Sequence, residues 1–293
     1  MRFLLFDDDR LGLIEGDLIV DITDVVASGG TSLPSGRLHA LIASEEGDQI
    51  FGAISRQALA AAPRRPWGDV HVGAPLPRPG KVVAAPVNYL DHKAEMGEAK
   101  SIADYGVFLK APSSVIGPDA TVELPYNDVR TDHEAELVVV IGRTARHVRS
   151  EDALGYVFGY TCGLDMTVRS TEDRSTRKSF DTFSPIGPVV VTSDEIPDPD
   201  NLSLQGRVNG KLRQQASTKE LIFGVADLIA YASSVMTLWP GDLLYTGTPA
   251  GVGPVADGDT VSVEIERIGV LTVTVSSANA ISYVTRPRPA SLP

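Results

Sequence analysis

Two acidic side chains, Glu134 and Glu136, stand one residue apart at the mouth of the run Leu137-Val138-Val139-Val140-Ile141, which Gly142 closes. A short, mostly β-branched run of this kind reads as a buried strand. Alternate residues of a strand share a face, so both carboxylates project to the same side. Adjacent anions repel unless positive charge lies between them, and a hard divalent cation with oxygen ligands supplies it. Two solvated glutamates on an edge strand are the alternative on this stretch alone. Asp165 is a third candidate ligand, embedded in the aromatic and β-branched stretch GYVFGYTCGLDMTVR, residues 155–169. An acid inside an apolar strand is costly unless it is paired or ligates a metal. Pairing with Arg169 or Arg174 would satisfy it as well.

His92 and Glu95 form a second constellation. If Asp91 caps a short helix, the two lie three residues apart on one face, within hydrogen-bonding reach. A histidine oriented by a carboxylate is the usual general-base arrangement. The alternative is an exposed helix carrying a D-H-K-A-E charge cluster. Gly97 and the polar residues to Asp104 predict a mobile loop suited to a lid. Lys178 could stabilise an enolate or orient a water beside a metal. Lys110, at the end of a strand over 105–110, could reach an anionic ligand. Thr246 and Thr248 lie in the glycine-rich LLYTGTPAGVG, residues 243–253, and could give donors to a carboxylate. That turn is not a nucleotide loop, because no Lys-Ser/Thr follows its glycines and their spacing is wrong for a dinucleotide fingerprint.

These groups need strands and turns to hold them. Residues 2–22 alternate short apolar runs with Asp and Gly, which predicts a small antiparallel sheet. Helices are expected over 37–43 and 48–62. The chain reads as an N-terminal α+β lobe over 1–73 and a proline-rich linker over 74–80. The catalytic part follows over 81–285, with a frayed tail over 286–293. Within it, a hairpin is expected at Asn209-Gly210 and one long helix over 221–236.

Totals narrow the function. A net charge of −12 argues against nucleic-acid binding and, more weakly, against docking on anionic membranes. The single cysteine, Cys162, excludes an intrachain disulfide and a cysteine-based zinc site, and reads as a small core residue. No apolar stretch is long enough for a signal peptide or a membrane span, so the cytoplasm is the expected compartment.

Five segments in order, VNYLDHKAEMG (87–97), TDHEAELVVVIGR (131–143), GYTCGLDMTVR (159–169), RKSFDTFSPIGP (177–188) and PGDLLYTGTPAGVG (240–253), resemble the fumarylacetoacetate hydrolase family. The resemblance covers about residues 81–283. It implies a mainly β, α+β fold, a mixed β-sandwich roll with a small N-terminal lobe, and a homodimer. It implies one Mg²⁺ or Mn²⁺ per subunit on Glu134, Glu136 and Asp165, with His92 and Glu95 as a catalytic dyad on a lid helix and Lys178 beside the metal. Phe108, Lys110, Arg169, Glu172, Thr182 and Thr248 match substrate-side positions. Glu172 stands where many relatives carry Gln, and Pro86 where Gly is usual, both expected in the pocket wall.

The expected activity is metal-dependent hydrolysis of a C–C bond in an acylpyruvate or related β-diketo acid. It would proceed through a metal-bound enolate, with water activated by the dyad. A decarboxylase acting on an oxaloacetate-type acid, or a keto–enol or double-bond isomerase, could use the same site. An inactive metal-holding scaffold is the non-enzymatic alternative. A structural Ca²⁺ site has no EF-hand loop to support it.

Overall fold

Val139 is fully buried within the strand Ala135–Ile141. Leu137, Val139 and Ile141 point into one core, with Cys162, Leu164, Val191, Leu204, Val263, Leu271 and Val273. Val138 and Val140 point into a second, with Leu5, Leu13, Leu38, Ile42, Leu76, Ile186, Val190 and Tyr245. A strand covered on both faces must be apolar throughout, which is why this run is continuous rather than alternating. The computed structural model describes residues 1–7, 9–27, 37–44 and 56–286.

Strand Ala135–Ile141 pairs antiparallel with Val157–Leu164 on one side and Leu243–Tyr245 on the other. The sheet continues outward through Ser184–Thr192 and Arg2–Phe6 to the N-terminal hairpin strands Arg10–Glu15 and Leu18–Asp21. At its other end Val82–Ala84 and Phe108–Lys110 complete it. A second sheet runs Lys211–Ser217, Ser203–Val208, Thr260–Ile265, Gly269–Ser276 and Thr121–Glu123, and it packs across the first core. The fold is mainly β, as the family resemblance implies.

The N-terminal antiparallel sheet is present, but it is not a body apart. Arg2 and Phe3 pair with Val191 and Val190, and Leu76 of the proline-rich stretch is fully buried in the shared core. The helix expected over 37–43 spans Arg37–Ser44. Of the helix expected over 48–62, Arg56–Ala61 is helical and the preceding part lies outside the described residues. The expected tail also lies outside them, apart from Arg286, which ion-pairs with Glu172.

Asn209 and Gly210 adopt positive φ, 51° and 73°, and close the expected hairpin. The long helix starts at Val225 rather than Leu221. Asn88 holds the intervening residues, accepting the Ile222 and Phe223 amides and donating to the Phe223 carbonyl. The stretch after Gly97, expected as a mobile loop, contains a helical turn, Ile102–Tyr105. Ser101 and Asp104 cap it reciprocally and Ile102 is buried, so a local polar pattern is overruled by one apolar anchor.

Candidate active site

A third, small sheet decides the geometry: Thr131–His133 pairs with Thr167–Val168 and with Gly253–Pro254. Glu134 is the residue at which the chain leaves this sheet and enters Ala135–Ile141. Asp165 sits at the matching break between Val157–Leu164 and Thr167–Val168, and its amide donates to the Glu134 carbonyl at 2.9 Å. The acid expected inside a strand thus lies at a bend between two. With Glu136, one residue into the large sheet, the three carboxylates each bring an oxygen within 4.8 Å of the others, and all three are buried.

Cations surround this cluster unevenly. Lys178 Nζ donates to Glu134 Oε2 at 2.6 Å and to Asp165 Oδ2 at 2.5 Å. Arg169 donates to Glu134 at 2.9 Å and to Asp132 at 2.7 Å. Burial alone would raise the Glu134 carboxyl, but Lys178 and Arg169 hold it well below the usual carboxylate range. Glu136 receives one N–H, from Gly247 at 2.7 Å, and no ammonium lies within ion-pairing distance of it among the described residues. Burial, with the Asp165 charge beside it, pushes its carboxyl well above the carboxylate range. Three converging hard oxygen donors, one of them short of positive charge, fit a hard divalent cation such as Mg²⁺ or Mn²⁺.

Helix Leu90–Glu95 carries the second constellation. Asp91 lies in its first turn rather than at the cap, where its carboxylate accepts the His92 amide at 2.6 Å. His92 is buried, with Nδ1 3.3 Å from Glu95 Oε2. Glu95 accepts the Gly251 amide at 3.0 and 3.1 Å, so the glycine-rich turn orients the carboxylate that orients the histidine. His92, the three acids, Phe108, Arg169, Lys178 and Thr248 line one cavity of about 220 Å³. That is smaller than the roughly 300–1,000 Å³ typical of drug-sized ligands, so it suits a small metabolite.

Three expected substrate contacts fall elsewhere. Lys110 is buried on Asp165 Oδ1 at 2.6 Å and on the Phe183 carbonyl at 2.9 Å, so it positions an acid rather than reaching a ligand. Burial presses its ammonium below the ordinary lysine range, against the opposing pull of Asp165. Thr182 adopts φ 71° and turns its hydroxyl to the Glu123 amide at 2.8 Å, away from the cavity lining. Glu172 accepts the Tyr283 hydroxyl at 2.8 and 3.0 Å and pairs with Arg286, outside the cavity wall. Pro86 does line the wall.

Gln214 escaped the sequence reading. It is the one buried residue of Lys211–Ser217. Its carboxamide donates to Thr248 Oγ1 (2.7 Å) and the Pro249 carbonyl (2.9 Å), and accepts the Ala135 amide (2.9 Å). It thereby ties the glycine-rich turn to the metal-side strand. Nothing in KLRQQAS marks it beforehand. The roles of Gly247 and Gly251 as N–H donors were hinted at only by the density of glycine.

A family model for the fumarylacetoacetate (FAA) hydrolase C-terminal domain matches residues 81–276. The chain belongs to the fumarylacetoacetate hydrolase family. Within that family, a maleylpyruvate hydrolase of Aquipseudomonas alcaligenes is 43% identical, covering 94% of this chain and 100% of its own. A mitochondrial oxaloacetate tautomerase of Rattus norvegicus is 40% identical over 75% of this chain and 74% of its own. A crystal structure of maleylpyruvate hydrolase from Sphingobium sp. SYK-6 with manganese(II) and pyruvate superposes with a TM-score of 0.84 at 41% identity, covering 94% of this chain and 99% of that one.

Proposed function

We propose that this chain is a divalent-metal-dependent hydrolase that cleaves a carbon–carbon bond of an acylpyruvate-type β-diketo acid, with maleylpyruvate the first candidate. The observation that carries the reading is that His92, held by Glu95, lines the same small cavity as the three buried acids. Similarity to maleylpyruvate hydrolases over nearly the whole chain supports the substrate class.

Glu134, Glu136 and Asp165 would hold the cation. Mg²⁺ or Mn²⁺ there supplies Lewis-acid polarisation of the keto-acid oxygens. His92 takes a proton from water, and Glu95, anchored on Gly251, keeps the imidazole aimed and stabilises its charged form. The resulting hydroxide adds to the distal acyl carbonyl, and the bond between that carbon and the pyruvyl methylene breaks. The electron pair stays with the methylene carbon and spreads onto its keto oxygen, near the positive charge of Lys178 and Arg169. The proton held by His92 returns to that carbon. One diketo acid and one water give one carboxylic acid and pyruvate.

Decarboxylation or keto–enol interconversion of oxaloacetate is the second reading, favoured by the 40% identity to an oxaloacetate tautomerase. Purified protein with Mn²⁺ is expected to remove the enol-diketone absorbance of maleylpyruvate and release two acids. Release of CO₂ from oxaloacetate, or faster enol–keto exchange with no cleavage of maleylpyruvate, would replace the first reading by the second.

The family resemblance also points to a homodimer. Val235 and Trp239, more than half exposed, supply apolar surface for pairing. Sedimentation of the purified protein tests the dimer. No helix among the described residues is long and apolar enough to cross a membrane.

A further inference from the structure

Most cations at the site are committed to acids of the chain itself. Arg169 serves Asp132 and Glu134, Lys178 serves Glu134 and Asp165, and Lys110 serves Asp165. Two more arginines line the same cavity, Arg174 and Arg177. Among the described residues, no carboxylate lies within ion-pairing distance of either. The buried Nε of Arg177 has no hydrogen-bond partner among them. A buried N–H left without an acceptor is destabilising, and a guanidinium more so than a neutral donor. Burial and the like charges of Arg169 and Arg174 lower the pKa of Arg177, against the opposing pull of Glu134 and Asp165, neither of which comes within ion-pairing distance. An unpaired donor of this kind on a cavity wall is complementary to an anion brought in by a ligand.

The local structure keeps both arginines available. They are three residues apart on the helical turn Arg174–Arg177, and so share a face. Asp173, the nearest acid in sequence, has its carboxylate occupied by the Ser175 amide at 2.8 Å. The Arg174 guanidinium lies 4.1 Å from the centre of the Tyr105 ring, which holds it by its flat face. Glu98, the remaining acid of the cavity wall, hydrogen-bonds the Tyr105 side chain and meets the Arg174 charge only beyond ion-pairing distance. Lys178, the next residue after Arg177, is buried among the acids. One short turn therefore sends one cation to the acidic cluster and leaves two others on the wall.

We infer that Arg177, with Arg174 beside it, forms a second carboxylate-binding subsite that reads the acyl end of the substrate. The α-keto carboxylate end belongs next to the three acids and their cation, which leaves these arginines for the far end. The chain then prefers acylpyruvates that carry a second carboxylate over those with a neutral acyl group. A planar guanidinium suits this task because it can grip both oxygens of a carboxylate. The inference rests on the hydrolase reading for its substrate and adds the residues that choose among substrates.

The test compares maleylpyruvate with acetylpyruvate, which lacks the second carboxylate. Arg177→Ala is expected to lower the ratio of their kcat/KM values at least ~30-fold, mainly through KM for maleylpyruvate, and Arg177→Lys to restore part of it. An unchanged ratio, or equal losses on both substrates, would overturn the subsite. If Arg177→Ala is unfolded by circular dichroism, Arg177→Gln and Arg174→Ala provide the same comparison. Calorimetry with maleate on the Mn²⁺-loaded protein gives a readout free of turnover. Binding by the parent protein that weakens about tenfold or more in the variant supports the subsite, even if neither acylpyruvate is cleaved and the hydrolase reading fails. A parent protein that does not bind maleate sinks the subsite alone.

Discussion

His92 is buried yet keeps one ring nitrogen on Glu95, so its other face is free to serve the cavity it lines. His92→Ala is expected to reduce hydrolysis about 10²–10⁴-fold, the usual share of a positioned base, while Mn²⁺ binding measured by calorimetry stays intact. Loss of both would make it a ligand or a structural residue. Far from the site, Asp21 accepts Arg10 Nε at 2.6 Å and the Thr23 amide at 3.1 Å. Burial would raise its carboxyl, but these partners outweigh burial and hold it below the usual aspartate range. A depressed folded-state pKa contributes stability above the unfolded value and loses it as the pH falls through the folded one. Asp21→Asn should therefore cost about 1–3 kcal/mol near neutrality. In denaturant titrations, the gap to the parent protein should narrow as the pH drops below about 3.9. A gap that is constant with pH would assign the effect to packing.

At the scale of elements, the glycine-rich turn after Leu243–Tyr245 links both constellations, because Gly247 donates to Glu136 and Gly251 to Glu95. Gly251 has φ +95°, and a Cβ placed there would lie 2.0 Å from the Arg213 carbonyl. Gly251→Ala is expected to cost about 1–3 kcal/mol in backbone strain alone. Activity should fall further than the loss of folded protein explains, since the Glu95 anchor moves with the turn. Thermal melts and kinetics on the folded fraction check this, and a variant with normal turnover per folded molecule would count against the anchor. The density of glycine was legible in the sequence. Its use as a pair of amide donors was not, because the two recipients lie more than a hundred residues earlier in the chain.

At the scale of the molecule, binding at the acidic cluster joins separate strands, so occupancy should couple to global stability. Saturation at 100 times Kd adds about 2.7 kcal/mol. Mn²⁺ should then raise Tm by several degrees, and Glu136→Ala should remove the increment. An equal shift in both proteins would place the ion elsewhere. The N-terminal strand Arg2–Phe6 is hydrogen-bonded into the same sheet as the site, through Ser184–Thr192. The proline-dense stretch at 75–79 had suggested a boundary. Proline stiffens a segment whether or not its neighbours pack, and here Leu76 is buried in the core both parts share.

Residue order alone determined the chemistry on offer: carboxylates spaced along β-branched runs, a His–Glu pair at helical spacing, and the motif series that carries the family resemblance. These are local patterns, and local backbone periodicity decides which side chains share a face. Only the tertiary structure decided that Asp165 meets Glu134 at a common bend, that Lys110 serves Asp165, and that Thr182 and Glu172 face elsewhere. It alone exposed Gln214 as a buried tie and, among the described residues, left Arg177 with no acid within ion-pairing distance. Such pairings join residues far apart in the chain through packing and strand register, on which local periodicity is silent.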